Sequence, residues 1–286
     1  MAFGGEACLI GPMRHARPMT EAERPALLEW LSRDPVVNVF PLGTLEEHGI
    51  GGIEEAHEFH GGPAGGPLRA ALLVAHGGLW MPCGDPTELA AIATALPDVP
   101  LASAIGAPAA VGALWTARGG GRAPRLSRTQ RLMRMTADHM GPWIAPQLRR
   151  AVEADLPALV TASALMQRED LGFDPRDRDA AGHERHCRER VNAGRSFVLY
   201  EGAHLAFKAD VGPRSRFGVQ IEGVYTAPGF RRQGVATRGL GQLCRLLLAS
   251  LPRVTLHADA QNRAALDLYR KLGFATERDL QLLIAA

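Results

Sequence analysis

Two stretches near the C-terminus combine residue types that could do chemistry. The first is Arg231-Arg232-Gln233-Gly234-Val235-Ala236-Thr237, which opens a helical pattern running to Leu251. A helix start presents unpaired N–H groups and the positive end of the helix dipole. Small residues such as Gly234 and Ala236 let a phosphate approach those amides closely, and Arg231 and Arg232 add positive charge beside it. The stretch suits a pyrophosphate. It is neither a P-loop, since no Gly-Lys-Ser/Thr follows, nor the GxGxxG dinucleotide fingerprint. Read alone, it also fits an ordinary helix start. The second stretch holds Asn262 and Tyr269, seven residues or two helical turns apart and so on one face. Asn262 also fits a helix N-cap, and Tyr269 also fits core or rim packing.

Strand patterns flank these helices. Gln220-Ile221-Glu222-Gly223-Val224-Tyr225-Thr226 reads as a strand whose period of two puts Gln220, Glu222, Val224 and Thr226 on one face. Ala227-Pro228-Gly229-Phe230 turns the chain, and Pro228 cannot donate to a sheet ladder. Residues 254–260 form a further strand with Thr255, His257 and Asp259 on one face.

The order Val224-Tyr225-Thr226-x-Pro-x-x-Arg231-x-x-Gly234-x-Ala236, then Asn262-x-x-Ala265-x-x-x-Tyr269-x-x-x-Gly273-Phe274, resembles the GNAT superfamily of acetyl-CoA-dependent N-acetyltransferases. The resemblance covers residues from about Gln147 to the C-terminus. The whole chain resembles a subgroup with an additional, poorly characterised N-terminal domain, and Asp34-Pro35-Val36 and Arg195-Ser196-Phe197…Phe207-Lys208-Ala209 fit that subgroup. The resemblance implies that the strand of residues 220–226 splays from that of residues 254–260, and that the pantetheine arm pairs with backbone near Val224, Tyr225 and Thr226. It assigns the pyrophosphate to Arg231, Arg232, Gln233, Gly234, Val235, Ala236 and Thr237, and the pantetheine arm also to Asn262 and Ala265. It places Tyr269 to protonate the departing CoA thiolate as a general acid. It also calls for a base to give a neutral amine. Glu222, two residues before Val224, or His257, where some family members carry a catalytic glutamate, could serve. Glu222 also fits a salt-bridged strand carboxylate, and His257 a pocket-wall histidine.

The elements that position these residues read as α/β. Residues 1–140 form an N-terminal α/β domain, expected to lack a phosphate cradle at a helix start and to be a degenerate relative of the same fold. In it, residues 21–32 read as a helix stopped by Asp34-Pro35. Residues 68–75 and 79–82 read as a strand pair, and 86–96 as a helix with Asp85 as cap and Pro86 in its first position. Residues 101–105 and 130–136 read as strands, 108–117 as a helix, and Gly119-Gly120-Gly121 as a loop. His57, Glu58, His60 and His76 suggest a metal only weakly, because His57 and His60 fall in a glycine-rich stretch expected to be a solvated loop with a short strand near residues 55–59. Gly141-Pro142 is the expected joint, and residues 143–286 form the acetyltransferase domain, a mixed, largely antiparallel sheet with helices on both faces. There, residues 147–152 suit a first strand and 153–167 a helix. Residues 168–190 suit a charged helix and loop, solvated or shaping a substrate pocket, and 196–201, 204–210 and 217–226 suit strands.

Composition sets the outer limits. The chain has 286 residues, 46% hydrophobic and 22% charged, which excludes fibrous and wholly disordered classes. Net charge is +2, too balanced for a dedicated nucleic-acid binder. No apolar run approaches the ~20 residues of a membrane span, and no signal pattern opens the chain, so a cytoplasmic enzyme is expected, monomer or homodimer. Cys8, Cys83, Cys187 and Cys244 lie far apart, against a zinc ribbon or disulfide framework. The expected reaction is direct transfer of acetyl from acetyl-CoA to a primary amine, with no metal and no covalent enzyme adduct. The alternatives are a tandem-type transferase using an amino-sugar or aminoacyl acceptor, and a non-catalytic acyl-CoA sensor.

Overall fold

The computed structural model describes residues 17–51, 57–63, 66–96, 98–118 and 122–285. In its first half the elements are β1 (Arg17–Pro18), α1 (Arg24–Leu31), α2 (Val39–His48), β2 (His57–Gly62), β3 (Ala70–Ala75), β4 (Leu79–Gly84), α3 (Pro86–Thr94), β5 (Ser103–Gly106), α4 (Pro108–Arg118) and β6 (Leu126–Met135). Then follow β7 (Arg149–Arg150), α5 (Leu156–Leu171), α6 (Arg176–Asn192), β8 (Ser196–Glu201), β9 (His204–Ser215), β10 (Gly218–Thr226), α7 (Val235–Leu248), β11 (Val254–Asp259), α8 (Arg263–Leu272) and β12 (Ala275–Ile284). The chain divides into two units. One comprises Met1–Trp30, Ile50–Arg125 and Leu283–Ala286, the other Leu31–Gly49 and Leu126–Leu282.

The first unit orders its strands β1-β2-β3-β4-β5, antiparallel except for β4 with β5. Helix α3 starts where its sequence signals place it. The Asp85 carboxylate accepts from the amides of Thr87 (2.8 Å) and Glu88 (3.3 Å), and Pro86 has no N–H to satisfy. Leu89 and Ile92 of α3 and Val111 and Leu114 of α4 pack on Leu72 and Trp80 of the sheet. His57 and His60 depart from expectation. They lie in β2 and are 8% and 1% exposed, because β2 is paired on both sides, by β1 and β3. Burial holds the His60 imidazolium down at a pKa of about 4, so the ring is neutral near pH 7. The expected loop at Gly119-Gly120-Gly121, residues 55–56 and Cys8 lie outside the described residues. Among the described residues Cys83, Cys187 and Cys244 form no disulfide.

The second unit orders its strands β12-β6-β11-β10-β9-β8-β7. Strands β10 and β11 run parallel, while β6 with β11, β9 with β10, β8 with β9 and β7 with β8 run antiparallel. Strand β6 pairs with β11 in unbroken register from Gln130–Asp259 to Met135–Val254. Residues 126–140 therefore sit in the second unit, and the joint expected at Gly141-Pro142 lies inside it. Helix α2 also belongs here. Glu47 accepts from the Arg214 amide and Glu46 from the Arg216 amide, each at 2.8 Å. Helices cover both faces. Leu240 and Leu243 of α7 and Leu266 and Leu272 of α8 pack with Phe207, Val211, Ile221 and Leu256. Leu156 and Leu159 of α5 and Val191 of α6 pack with Val198, whose strand neighbours Phe197 and Leu199 join the α7 side. Among the described residues, no helix is long and apolar enough to cross a membrane.

Candidate active site

The site begins where two strands part. β10 and β11 pair only at Val219–Val254, Gln220–Thr255 and Ile221–Leu256. Beyond that point β10 continues to Thr226 and β11 to Asp259 without pairing to each other. On its other edge β10 bulges against β9. Glu222 pairs with Asp210 and Tyr225 with Lys208, so that two residues of β10, Gly223 and Val224, lie opposite one of β9, Ala209. Gly223 sits in the bulge at φ 53°, and a Cβ there would lie 2.5 Å from Asp210 Oδ2.

The bulge overturns one expectation. A strict period of two would put Gln220, Glu222, Val224 and Thr226 on one face. The extra residue reverses the alternation, so Tyr225 shares the Glu222 face, Thr226 pairs with Phe207, and Val224 packs against the α7 side.

The parted strands open a cavity of about 380 Å3, lined by Val224, His257, Asn262, Ala265 and Tyr269 among others. Asn262 is the N-cap of α8: its side-chain oxygen accepts from the Ala265 amide at 3.1 Å. Tyr269 is 7% exposed and meets Phe274 edge-to-face at 5.9 Å between centroids. Its hydroxyl has no hydrogen-bond partner among the described residues. Burial pushes its phenol pKa up, and Asp170 and Cys244 add to the shift, so the proton is held at neutral pH. Burial lowers His257 to about 4, which leaves a neutral imidazole.

At the start of α7, Gly234 is the N-cap with a left-handed φ of 75°, and Arg232 before it has φ 59°. The left-handed backbone suits glycine because it carries no Cβ. Val235 and Thr237 turn their side chains inward, 3% and 7% exposed. The amides of Arg232, Gln233, Gly234, Val235, Ala236 and Thr237 find no acceptor among the described residues. The Arg231 guanidinium is already engaged. It donates to the Thr226 carbonyl at 2.9 Å and to Glu169 at 2.7 and 3.0 Å, and lies 5.6 Å from the Tyr225 ring centroid. Arg232 is exposed.

Glu222 belongs to a different constellation. It accepts from Arg190 Nη2 at 2.8 Å and from the Gln220 amide at 3.3 Å, and it does not line the cavity. Beside it Asp210 accepts from Lys208 Nζ at 2.6 Å and Ser196 Oγ at 2.7 Å. Burial alone would raise the Asp210 carboxyl, but Lys208 and Arg190 outweigh it and keep it ionised. Burial likewise opposes the Arg190 charge, and Glu222 and Asp210 more than compensate. Thus Tyr269 and His257 share the cavity wall, while Glu222 is tied into a buried, charge-balanced network.

Sequence reasoning missed Arg128, and covered Glu169 and Asp170 only within the run 168–190 read as solvated or pocket-shaping; all three line the cavity. Arg128 comes from β6, far upstream, and carries no local signal. Glu169 and Asp170 fall in the charged run after Arg168, which reads equally well as a solvated helix end.

Residues 162–274 match the acetyltransferase (GNAT) family. A Drosophila protein of solved structure superposes with a TM-score of 0.68 at 13% identity, covering 96% of this chain and 99% of that one. A GNAT-family acetyltransferase from Colwellia psychrerythraea gives 0.55 at 13% identity, covering 94% and 99%. A tandem GNAT protein from the clavulanic acid biosynthesis pathway gives 0.54 at 13% identity, covering 95% and 98%. At these identities the likeness establishes the fold, over nearly the whole chain. No curated protein sequence matches the chain.

Proposed function

Because this chain carries a GNAT acetyltransferase domain over residues 162–274, we propose that it is a cytoplasmic enzyme that transfers acetyl from acetyl-CoA to a primary amine. The observation that carries the reading is the cavity between the parted strands, bounded by Tyr269 and Asn262. The run of unpartnered amides from Arg232 to Thr237 supports it. Those amides and the dipole of α7 suit a pyrophosphate. The free edge of β10 beyond Ile221 leaves the backbone around Val224, Tyr225 and Thr226 able to pair with amide groups of a pantetheine arm. Ala265, in the first turn of α8, lines the same cavity.

In this reading acetyl-CoA supplies the activated thioester. The amine nitrogen attacks its carbonyl carbon, the C–S bond breaks, and the sulfur takes the Tyr269 proton. Burial suits Tyr269 to this role, since a phenol held protonated can donate at neutral pH. The amine's own proton must leave before or during attack. His257 is neutral and lines the cavity, so it can accept that proton directly or through water, although its low pKa makes it a weak base. Glu222 remains a candidate only if the bridge from Arg190 opens. A covalent cysteine route is disfavoured, because burial raises the thiols of Cys187 and Cys244 above the ordinary range.

The test is thiol release from acetyl-CoA with a panel of amines, together with calorimetry of CoA binding. Turnover with CoA bound supports the reading. Absence of CoA binding by the wild-type chain overturns it. CoA binding without turnover of any amine favours an acyl-CoA sensor instead.

A further inference from the structure

We propose that the buried ion pair of Lys208 and Asp210 fixes the β10 bulge in place, and that the two are positioning residues which set where the thioester of acetyl-CoA lies. This rests on the acetyltransferase reading above. Lys208 and Asp210 are 1% and 6% exposed and flank the bulge on β9, Lys208 opposite Tyr225 and Asp210 opposite Glu222. They stand two residues apart on the strand, so both side chains rise from one face of the sheet. There they meet the bulged backbone. A Cβ on Gly223 would lie 2.5 Å from Asp210 Oδ2 and 3.0 Å from Lys208 Nζ.

The carboxylate is pinned from two sides and cannot yield to such a contact. Its Oδ2 accepts from Lys208 Nζ at 2.6 Å and its Oδ1 from Ser196 Oγ at 2.7 Å. A residue without a Cβ fits over it, and Gly223, at φ 53°, is that residue. A bulge that slid by one position would bring the Cβ of Glu222 or Val224 onto Asp210. The glycine and the pinned carboxylate together specify one register, in a strand where a slip of one residue exchanges the two faces.

That register matters at the site. The bulge carries Val224 to the cavity wall, and beyond Ile221 the β10 backbone has no partner on β11. In the acetyltransferase reading this backbone holds the end of the pantetheine arm. A displacement of about 1 Å there costs on the order of 10²-fold in rate. The burial of the pair points the same way. Removing one buried ion strands the other, but neutral residues of similar volume in place of both often serve stability as well or better. Holding the bulge in one register is a reason to keep the ions that stability alone does not give.

The experiment uses the full chain with acetyl-CoA labelled with 13C at the acetyl carbonyl. NMR reads the bound carbonyl resonance, calorimetry reads CoA affinity, and Tm reads folding. A thioester carbonyl polarised by backbone N–H groups resonates away from its position in free acetyl-CoA, and the wild-type chain should show one such displaced line. Lys208→Met combined with Asp210→Asn removes both charges and strands neither. This double variant should fold and bind CoA within about threefold of wild type, while the displacement falls by at least half or the line splits. Gly223→Ala keeps both ions but pushes the bulge off Asp210, and should change the resonance in the same way. An unchanged resonance in either variant overturns the proposal. If the double variant does not fold, the pair serves stability and the proposal fails. A wild-type resonance that coincides with that of free acetyl-CoA, while CoA binds normally, also overturns it and leaves the acetyltransferase reading standing. A wild-type chain that does not bind CoA overturns both.

Discussion

Replacing Tyr269 by phenylalanine should separate chemistry from folding and from cofactor binding. The phenol oxygen makes no hydrogen bond within the described residues, so its removal strands no partner. The ring keeps its edge-to-face contact with Phe274 at 5.9 Å. Stability should therefore stay within about 0.5 kcal/mol of wild type. Calorimetric CoA affinity should be unchanged, because the pyrophosphate would rest on the amides of α7 and not on Tyr269. Turnover should fall by roughly 10²–10⁴, the contribution of a positioned acid, or about 2.7–5.4 kcal/mol of transition-state stabilisation at 1.36 kcal/mol per tenfold. The pH dependence adds a second reading. Burial, reinforced by Asp170 and Cys244, raises the phenol pKa. An acid of raised pKa keeps its proton to higher pH, so any alkaline limb due to Tyr269 must lie above the ordinary tyrosine value of about 10. The assay is thiol release at saturating acetyl-CoA from pH 6 to about 10. A Tyr269→Phe turnover within about threefold of wild type would refute the acid role and leave Tyr269 as packing.

Gly234→Glu should abolish CoA binding by calorimetry, because it sets a side chain and a negative charge at a backbone held at φ 75°; undiminished affinity would remove the α7 cradle from the site. Among the described residues of the first unit no helix opens on an Arg-x-x-Gly-x-Ala run, so titration of the full chain should give one CoA per chain, and two would show that reading to be wrong. Lys208→Met should destabilise by about 3–5 kcal/mol in urea unfolding, because it leaves the buried Asp210 without its 2.6 Å partner; a loss under about 1 kcal/mol would mean Arg190 and Ser196 suffice. His257 is lowered by burial to about 4, so the folded protein binds its proton less readily than the unfolded chain does. Its contribution to stability is complete above the unfolded value of about 6.5 and is lost as pH falls from there through about 4. His257→Gln should flatten that part of the stability profile, and an identical acid slope in both proteins would count against a buried neutral ring.

Some of this molecule is written locally. The Asp85-Pro86 helix start follows from hydrogen bonds a short span of chain can make for itself, so residue types alone locate it. Asn262 as an N-cap and the small-residue start of α7 are legible for the same reason. Between residues 196 and 272 the order of strands and helices follows from hydrophobic periodicity, whereas β12 was not read from the sequence. Helix α2 was hidden, because Pro41 and Gly43 lie inside it and both disfavour a helix interior; contacts such as Glu47 with the Arg214 amide stabilise it from far along the chain. The boundary between the units was hidden too. Strand β6 joins β11 through pairings more than a hundred residues apart, and hydrophobic pattern cannot say which strand a strand will choose. The bulge at Gly223 moved Val224 and Thr226 to the other face, since one unpaired residue reverses every alternation after it. The surroundings of the candidate bases were decided the same way. Glu222 and His257 look alike in sequence as polar residues on neighbouring strands, but the partner of Glu222 is Arg190, brought by α6 onto the sheet, while β11 turns His257 into the cavity. Which charges meet depends on distances that only the packed fold sets.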